Sequence, residues 1–180
     1  METGDLIAQR WSPRDFKPEP LDPAHVQEIF RAASRAQSSF NEQPWRYLIA
    51  TKEDGADRDR LESYLIEENA FAKAAWILGI SFAKKTFTPN SETNRTALHD
   101  LGAANQIIAL RAYDLGWNTR FMAGFDVERA SESAPDDFDP VAMFVIGRAT
   151  EKEQQRASSR SSRKPTSDFL FRGAWGSPLH

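Results

Sequence analysis

The chain has 180 residues, of which 40% are hydrophobic and 27% charged, and its formal net charge is −3. That length suits one domain able to bury about 70% of its extended-chain surface, and the composition excludes general disorder. A slightly acidic chain lacks the positive field of a general nucleic-acid binder, and the absence of cysteine excludes disulfides, iron–sulfur clusters and thiol nucleophiles.

His25, His99 and His180 are scattered without metal-ligand spacing, so no metal is expected. The opening Met1–Asp5 carries acids and lacks the basic start and apolar run of a secretory leader. No stretch approaches the roughly 18 apolar residues of a transmembrane helix. The expectation is a cytoplasmic protein with neither membrane nor nucleic-acid partners.

In chain order, Leu6, Ile7 and Ala8 predict a short helix that delivers Arg10. Pro13, Pro18 and Pro20 interrupt Trp11–Pro20, which reads as loop. Asp22-Pro23 is a helix start, with Asp as N-cap and Pro at the first helical position. Val26, Ile29, Phe30 and Ala33 share a face of a helix ending near Ala36. The stretch 38–51, SSFNEQPWRYLIAT, opens as a polar loop and closes as a strand over Trp45–Thr51. Lys52–Gly55 is a turn. Asp57–Glu68 reads as a helix with Leu61, Tyr64 and Leu65 inward.

Ala74–Ala83 is an apolar run suited to a central strand, and Thr86–Thr96 is polar loop. Ala97–Leu115 is the most apolar helix, ended by Gly116-Trp117. Asn118–Gly124 leads to Phe125-Asp126, then a short helix over Val127–Ala134 and a buried strand over Val141–Gly147. Glu151–Ser167 has linker composition, yet Asp168–Trp175 adds three large aromatics. Such an arm packs either on its own chain or on a second subunit. Helices and strands of this order predict an α+β sandwich around a mixed sheet, and no G-x-G-x-x-G dinucleotide motif is present.

Several residues could carry chemistry. Arg10, Ser12 and Arg14 in one short loop could cradle a phosphate, or the arginines could pair with Asp5 or Asp15 at the surface. Glu67-Glu68 and Asp136-Asp137 read as solvated acids. His99 reads as a cap or interface residue, and Lys84-Lys85 as the solvated end of a strand. Trp76, Trp117 and Phe125 read as core, although Phe121 or Phe125 could border a ligand.

Taken together, RWSPRDF, SSFNEQPWRYLIAT, LGAANQIIALRAYDLGWNTRFMAGFD and RKPTSDFLFRGAW resemble, in order, the motifs of the FMN-dependent nitroreductase family. The resemblance implies a nitroreductase-like fold with a mostly antiparallel sheet. It implies a flavin-binding domain over 1–150, completed by a C-terminal extension over 151–180 that crosses a homodimer. Arg10 and Arg163 would hold the FMN phosphate, with Lys164 a second choice. Ser12 would lie on the ribityl–phosphate side beside Trp11.

Arg14 would face the pyrimidine edge, where positive charge stabilises the N1–O2 anion of reduced flavin. Ser38, Ser39 and Asn41 would line the ring and ribityl chain, and Asn69 would bond the pyrimidine edge. The Met122-Ala123-Gly124 turn would place a backbone N–H, from Ala123 or Gly124, against flavin N5. The implied activity moves hydride from NADH or NADPH through FMN to a small electron-poor acceptor, such as a nitroaromatic or a quinone. Two departures bear on it. Ala123 stands where many relatives carry Glu, and 86–96 is shorter than the family's excursion over the flavin. They leave open a flavin-binding relative with little or no NAD(P)H turnover.

Overall fold

A computed structural model describes residues 1–156 and 162–177. Residues 157–161 of the expected linker, and 178–180 with His180, lie outside the described residues. Among the described residues the architecture is α+β, with a five-stranded sheet between two layers of helix and turn.

Helix α1 (Thr3–Gln9) buries no residue and ends at Arg10, whose N–H closes on the Leu6 carbonyl. The prolines of the following loop leave only Phe16–Lys17 free to pair. These two residues form β1, which the loop expectation lacked. Helix α2 (Pro23–Ala33) starts as predicted: the Asp22 carboxylate accepts from the Ala24 N–H at 2.8 Å. It stops three residues short of Ala36, where the Ser34 hydroxyl bonds back to the Arg31 carbonyl.

Strand β2 (Trp45–Thr51) has the expected bounds. Helix α3 (Gly55–Glu62) is shorter than predicted, and a 3₁₀ segment over Glu67–Ala74 takes the chain to β3 (Ile77–Lys84). Periodicity alone merged α3 with this segment, because Leu61 and Tyr64 are both buried across the break. Helix α4 (Ala97–Asp114) buries Leu101, Ala104, Ile108 and Ala112 and ends at Gly116. Gly116 takes a φ of +84°, the left-handed stop that favours glycine.

Strand β4 (Asn118–Met122) follows, where only a lead-in was read, and α5 (Val127–Ser131) is capped by Asp126. Strand β5 (Phe138–Ala149) extends well beyond the expected 141–147. It accommodates Pro140 because the register with β3 shifts there: Ser81 faces Ala142 but Phe82 faces Pro140. The first part of the expected linker is instead helix α6 (Glu151–Arg156), whose Glu153 is buried. The aromatic tail beyond it contains a 3₁₀ turn over Thr166–Asp168.

Strand β5 is the hub of the sheet. It pairs with β1, β3 and β4, while β2 adds to the far edge of β3, and every one of these pairings is antiparallel. Alternation along β3 splits the core. Leu78, Ile80 and Phe82 face a cluster with Leu61, Tyr64, Met143 and Val145. Ile77 faces the α2–α4 side with Ile29, Ile108, Phe144 and Ile146. Gly79 is required for space, since a Cβ there would lie 2.4 Å from the Phe144 ring. Trp76, Trp117 and Phe125 are core, as read from the sequence.

Candidate flavin site

The predicted residues fall into two groups. The first gathers the N-terminal loop, the 3₁₀ segment and the end of β4. Arg10 Nη1 reaches the Ser12 hydroxyl at 3.4 Å, and the Ser12 carbonyl accepts from Arg120 Nη1 at 2.9 Å. The Arg14 and Arg120 guanidiniums both lie over the Phe71 ring, 6.0 and 5.4 Å from its centroid. Arg14 pairs with neither Asp5 nor Asp15. Its backbone N–H instead donates to Glu153 at 3.2 Å, tying the loop to α6. Arg120 titrates below the usual arginine range, through burial first and the Arg14 charge second, with Glu153 opposing.

Two residues before Phe71, the Asn69 amide Nδ2 donates to the Gly124 carbonyl at 2.7 Å. A carbonyl only accepts, so this bond assigns the amide: nitrogen to Gly124, leaving Oδ1 to accept from a ligand N–H. A Cβ on Gly124 would meet Ile66 Cδ1 at 2.7 Å and Asn69 Nδ2 at 3.4 Å. A side chain here would have to push the exposed end of Ile66 aside and would crowd the Asn69 amide. Met122 is buried, so only its backbone can face a ligand, whereas Ala123 is exposed. Among the described residues, neither the Ala123 nor the Gly124 N–H donates to another group of the protein.

The second group is the Ser38–Gln43 loop. Phe40, Asn41 and Gln43 all take left-handed φ values of 51–56°, a strained run for residues with side chains. Side-chain bonds hold it. The Ser38 hydroxyl accepts from the Gln43 N–H at 3.0 Å, and the buried Asp100 carboxylate accepts from the Ser39 N–H at 3.0 Å. Glu42 accepts from the Thr88 N–H at 3.0 Å and pairs with Lys84, so Lys84 is not the solvated strand end read from sequence. His99 is exposed and contacts Asp100.

Burial works to raise the Glu42 carboxyl, but the bonds from Thr88 and Lys84 outweigh it and hold it below the usual carboxylate range. A depressed pKa contributes stability that is complete above the unfolded value and lost as pH falls through the folded one. Acidification through that window should therefore loosen the loop. Amide exchange at Thr88, measured by NMR against pH, should show protection falling there, and Glu42→Gln should abolish the step.

One chain does not join the two groups. Strands β5 and β3 lie between β4 and β2, about 14 Å by strand spacing alone. The exposed Arg163 and Lys164 lie on the tail, which carries exposed Phe169 and Trp175. Sequence reading missed Phe71, Asp100, Arg120 and Glu153. An arginine inside the strand run NTRFM was the available signal for Arg120, and an acid in the first turn of α4 for Asp100. Among the described residues, no group of three metal-ligating side chains converges and no helix is long and apolar enough to cross a membrane.

Residues 7–75 match the nitroreductase family. A 15.4 kDa protein in the ask 5′ region of Mycolicibacterium smegmatis is 33% identical over 138 residues, covering 72% of this chain and 92% of that protein. A crystal structure of an oxidoreductase containing FMN superposes with a TM-score of 0.88 at 30% identity, over 98% of this chain and 94% of the other. A structure from Exiguobacterium sibiricum in complex with FMN has the same fold, with a TM-score of 0.78 at 19% identity over 94% and 96% of the two chains. Fold and relatives together define an oxidoreductase. The chain belongs to the nitroreductase family.

Proposed function

We propose that the protein is an FMN-dependent oxidoreductase that takes hydride from NADH or NADPH and delivers it to an electron-poor acceptor such as a nitroaromatic or quinone. When bound, FMN supplies the hydride chemistry at N5, which explains why the chain needs no nucleophile or histidine base. The carrying observation is the 2.7 Å bond from Asn69 to the Gly124 carbonyl. It ties Asn69 to the turn whose Ala123 and Gly124 N–H groups would face N5, and the Asn69 Oδ1 would accept from the ring's imide N–H.

Arg14 stands beside this pair as a cation for the pyrimidine edge, and Arg10 with Ser12 as donors for the phosphate. The 30%-identical relative contains FMN, which supports the same cofactor here. Ser38, Ser39 and Asn41 would then come from a second copy, since one chain holds them apart from the arginine cradle. In this homodimer the exposed aromatic tail would cross the interface and carry Arg163, with Lys164 beside it, toward the phosphate.

Gly124→Val tests the turn. The added Cβ forces only the exposed end of Ile66 to yield toward solvent, while the branches beyond it would crowd the Asn69 amide and the turn. Turnover should fall by about tenfold or more with an unchanged melting temperature. Normal reductase kinetics would remove the N5 assignment. A second reading is a flavin-binding relative with little turnover. It is favoured by the short 86–96 segment, closed by a Thr86–Thr93 bridge. Anaerobic titration of holoprotein with NADH and NADPH, then with menadione, separates the two. Bleaching and recovery of the flavin absorbance support the reductase, and FMN bound without bleaching supports the binder.

A further inference from the structure

We propose that Arg120 is a second cation at the pyrimidine edge of bound FMN, acting beside Arg14 to raise the flavin's reduction potential. This rests on the FMN reading above. Arg120 lies on β4 two residues before Met122, so strand alternation places both on one face, leading to the Ala123–Gly124 turn.

Its position is built rather than incidental. Nη1 is anchored on the Ser12 carbonyl, and the guanidinium shares the Phe71 ring with Arg14. Its Nε is buried with no hydrogen-bond partner. Among the described residues no carboxylate lies within ion-pair distance of either guanidinium. The acid whose charge acts on Arg120, Glu153, directs one oxygen to the Arg14 N–H and the other toward Arg156.

Two like charges with no carboxylate in ion-pair contact, and only the charge of Glu153 nearby to offset them, favour a negative group that joins them from outside. The ring edge is favoured over the phosphate because Phe71, on which both stack, is two residues from Asn69, whose amide bonds Gly124. A cation there stabilises the reduced N1–O2 anion more than the neutral oxidised ring, which appears as potential rather than as affinity for the phosphate.

The test compares wild-type protein with Arg120→Gln and Arg120→Lys, measuring the midpoint potential of bound flavin by dye equilibration and dissociation constants for FMN and riboflavin. Arg120→Gln should bind reduced FMN about tenfold more weakly relative to oxidised FMN, a fall of about 30 mV for a two-electron couple. Its affinities for FMN and riboflavin should change in parallel, since riboflavin lacks only the phosphate. Arg120→Lys should keep the wild-type potential. A Gln variant with an unmoved potential overturns the inference, as does a fall confined to FMN affinity. If the Gln variant loses its fold, a 30 mV fall in the Lys variant overturns it equally. Wild-type protein that takes up no FMN defeats the functional reading instead, which separates the two failures.

Discussion

Replacing Arg10 by alanine should weaken FMN binding by roughly 10- to 150-fold, because a charged hydrogen bond to phosphate is worth about 1.5–3 kcal/mol. Arg10 stands at the end of α1, half-buried, with Nη1 turned to the Ser12 hydroxyl. Helix α1 buries nothing, so the substitution removes a ligand contact without opening the core. Fluorescence titration reads the result, since free flavin is bright and bound flavin is quenched. Riboflavin affinity should stay constant, and Arg10→Lys should recover part of the loss as a point charge without the guanidinium fork. Equal FMN affinity in wild-type and Arg10→Ala protein would count against the phosphate cradle.

Arg58→Met should destabilise the fold by about 3 kcal/mol and loosen the 3₁₀ segment that carries Asn69 and Phe71. Arg58 is 4% exposed. Its Nη1 donates to the Ala50 and Trp76 carbonyls at 3.3 and 3.2 Å, and its Nη2 to the Lys73 and Ala75 carbonyls at 3.2 and 3.0 Å. Its Nε pairs with Glu62 at 2.8 Å. One guanidinium therefore closes α3, β2 and the entry to β3. Methionine fills similar volume but leaves buried carbonyls without donors, and their lost bonds set the magnitude. The urea midpoint should fall at constant slope, and the melting temperature by roughly 6–12 °C for a chain of this size. A shift under about 2 °C would show that these carbonyls find other donors.

Much of the fold was legible because its signals are local. Asp22-Pro23 started α2, the 45–51 alternation bounded β2, and the long apolar run of α4 ended at Gly116 as its glycine required. The misses have tertiary causes. Only the ends of the 3₁₀ segment 67–74 were read, as the close of a helix and the start of a strand, since its shape depends on Arg58 binding the Lys73 and Ala75 carbonyls from outside. Strand β4 was missed because NTRFM carries an arginine whose place is set by Ser12 and Phe71, far away in sequence. Helix α6 looked like linker, yet Glu153 is buried against the Arg14 backbone. The individual motifs of the candidate site were readable, but not their division into two groups on one chain. That division follows from strand order, to which no short motif responds.

The most direct measurement is titration of folded, flavin-free protein with FMN, followed by absorbance and fluorescence with oligomeric state measured in parallel. Saturation at one FMN per chain, on a dimer, is the predicted result. A well-folded sample that stays colourless in excess FMN would contradict the account.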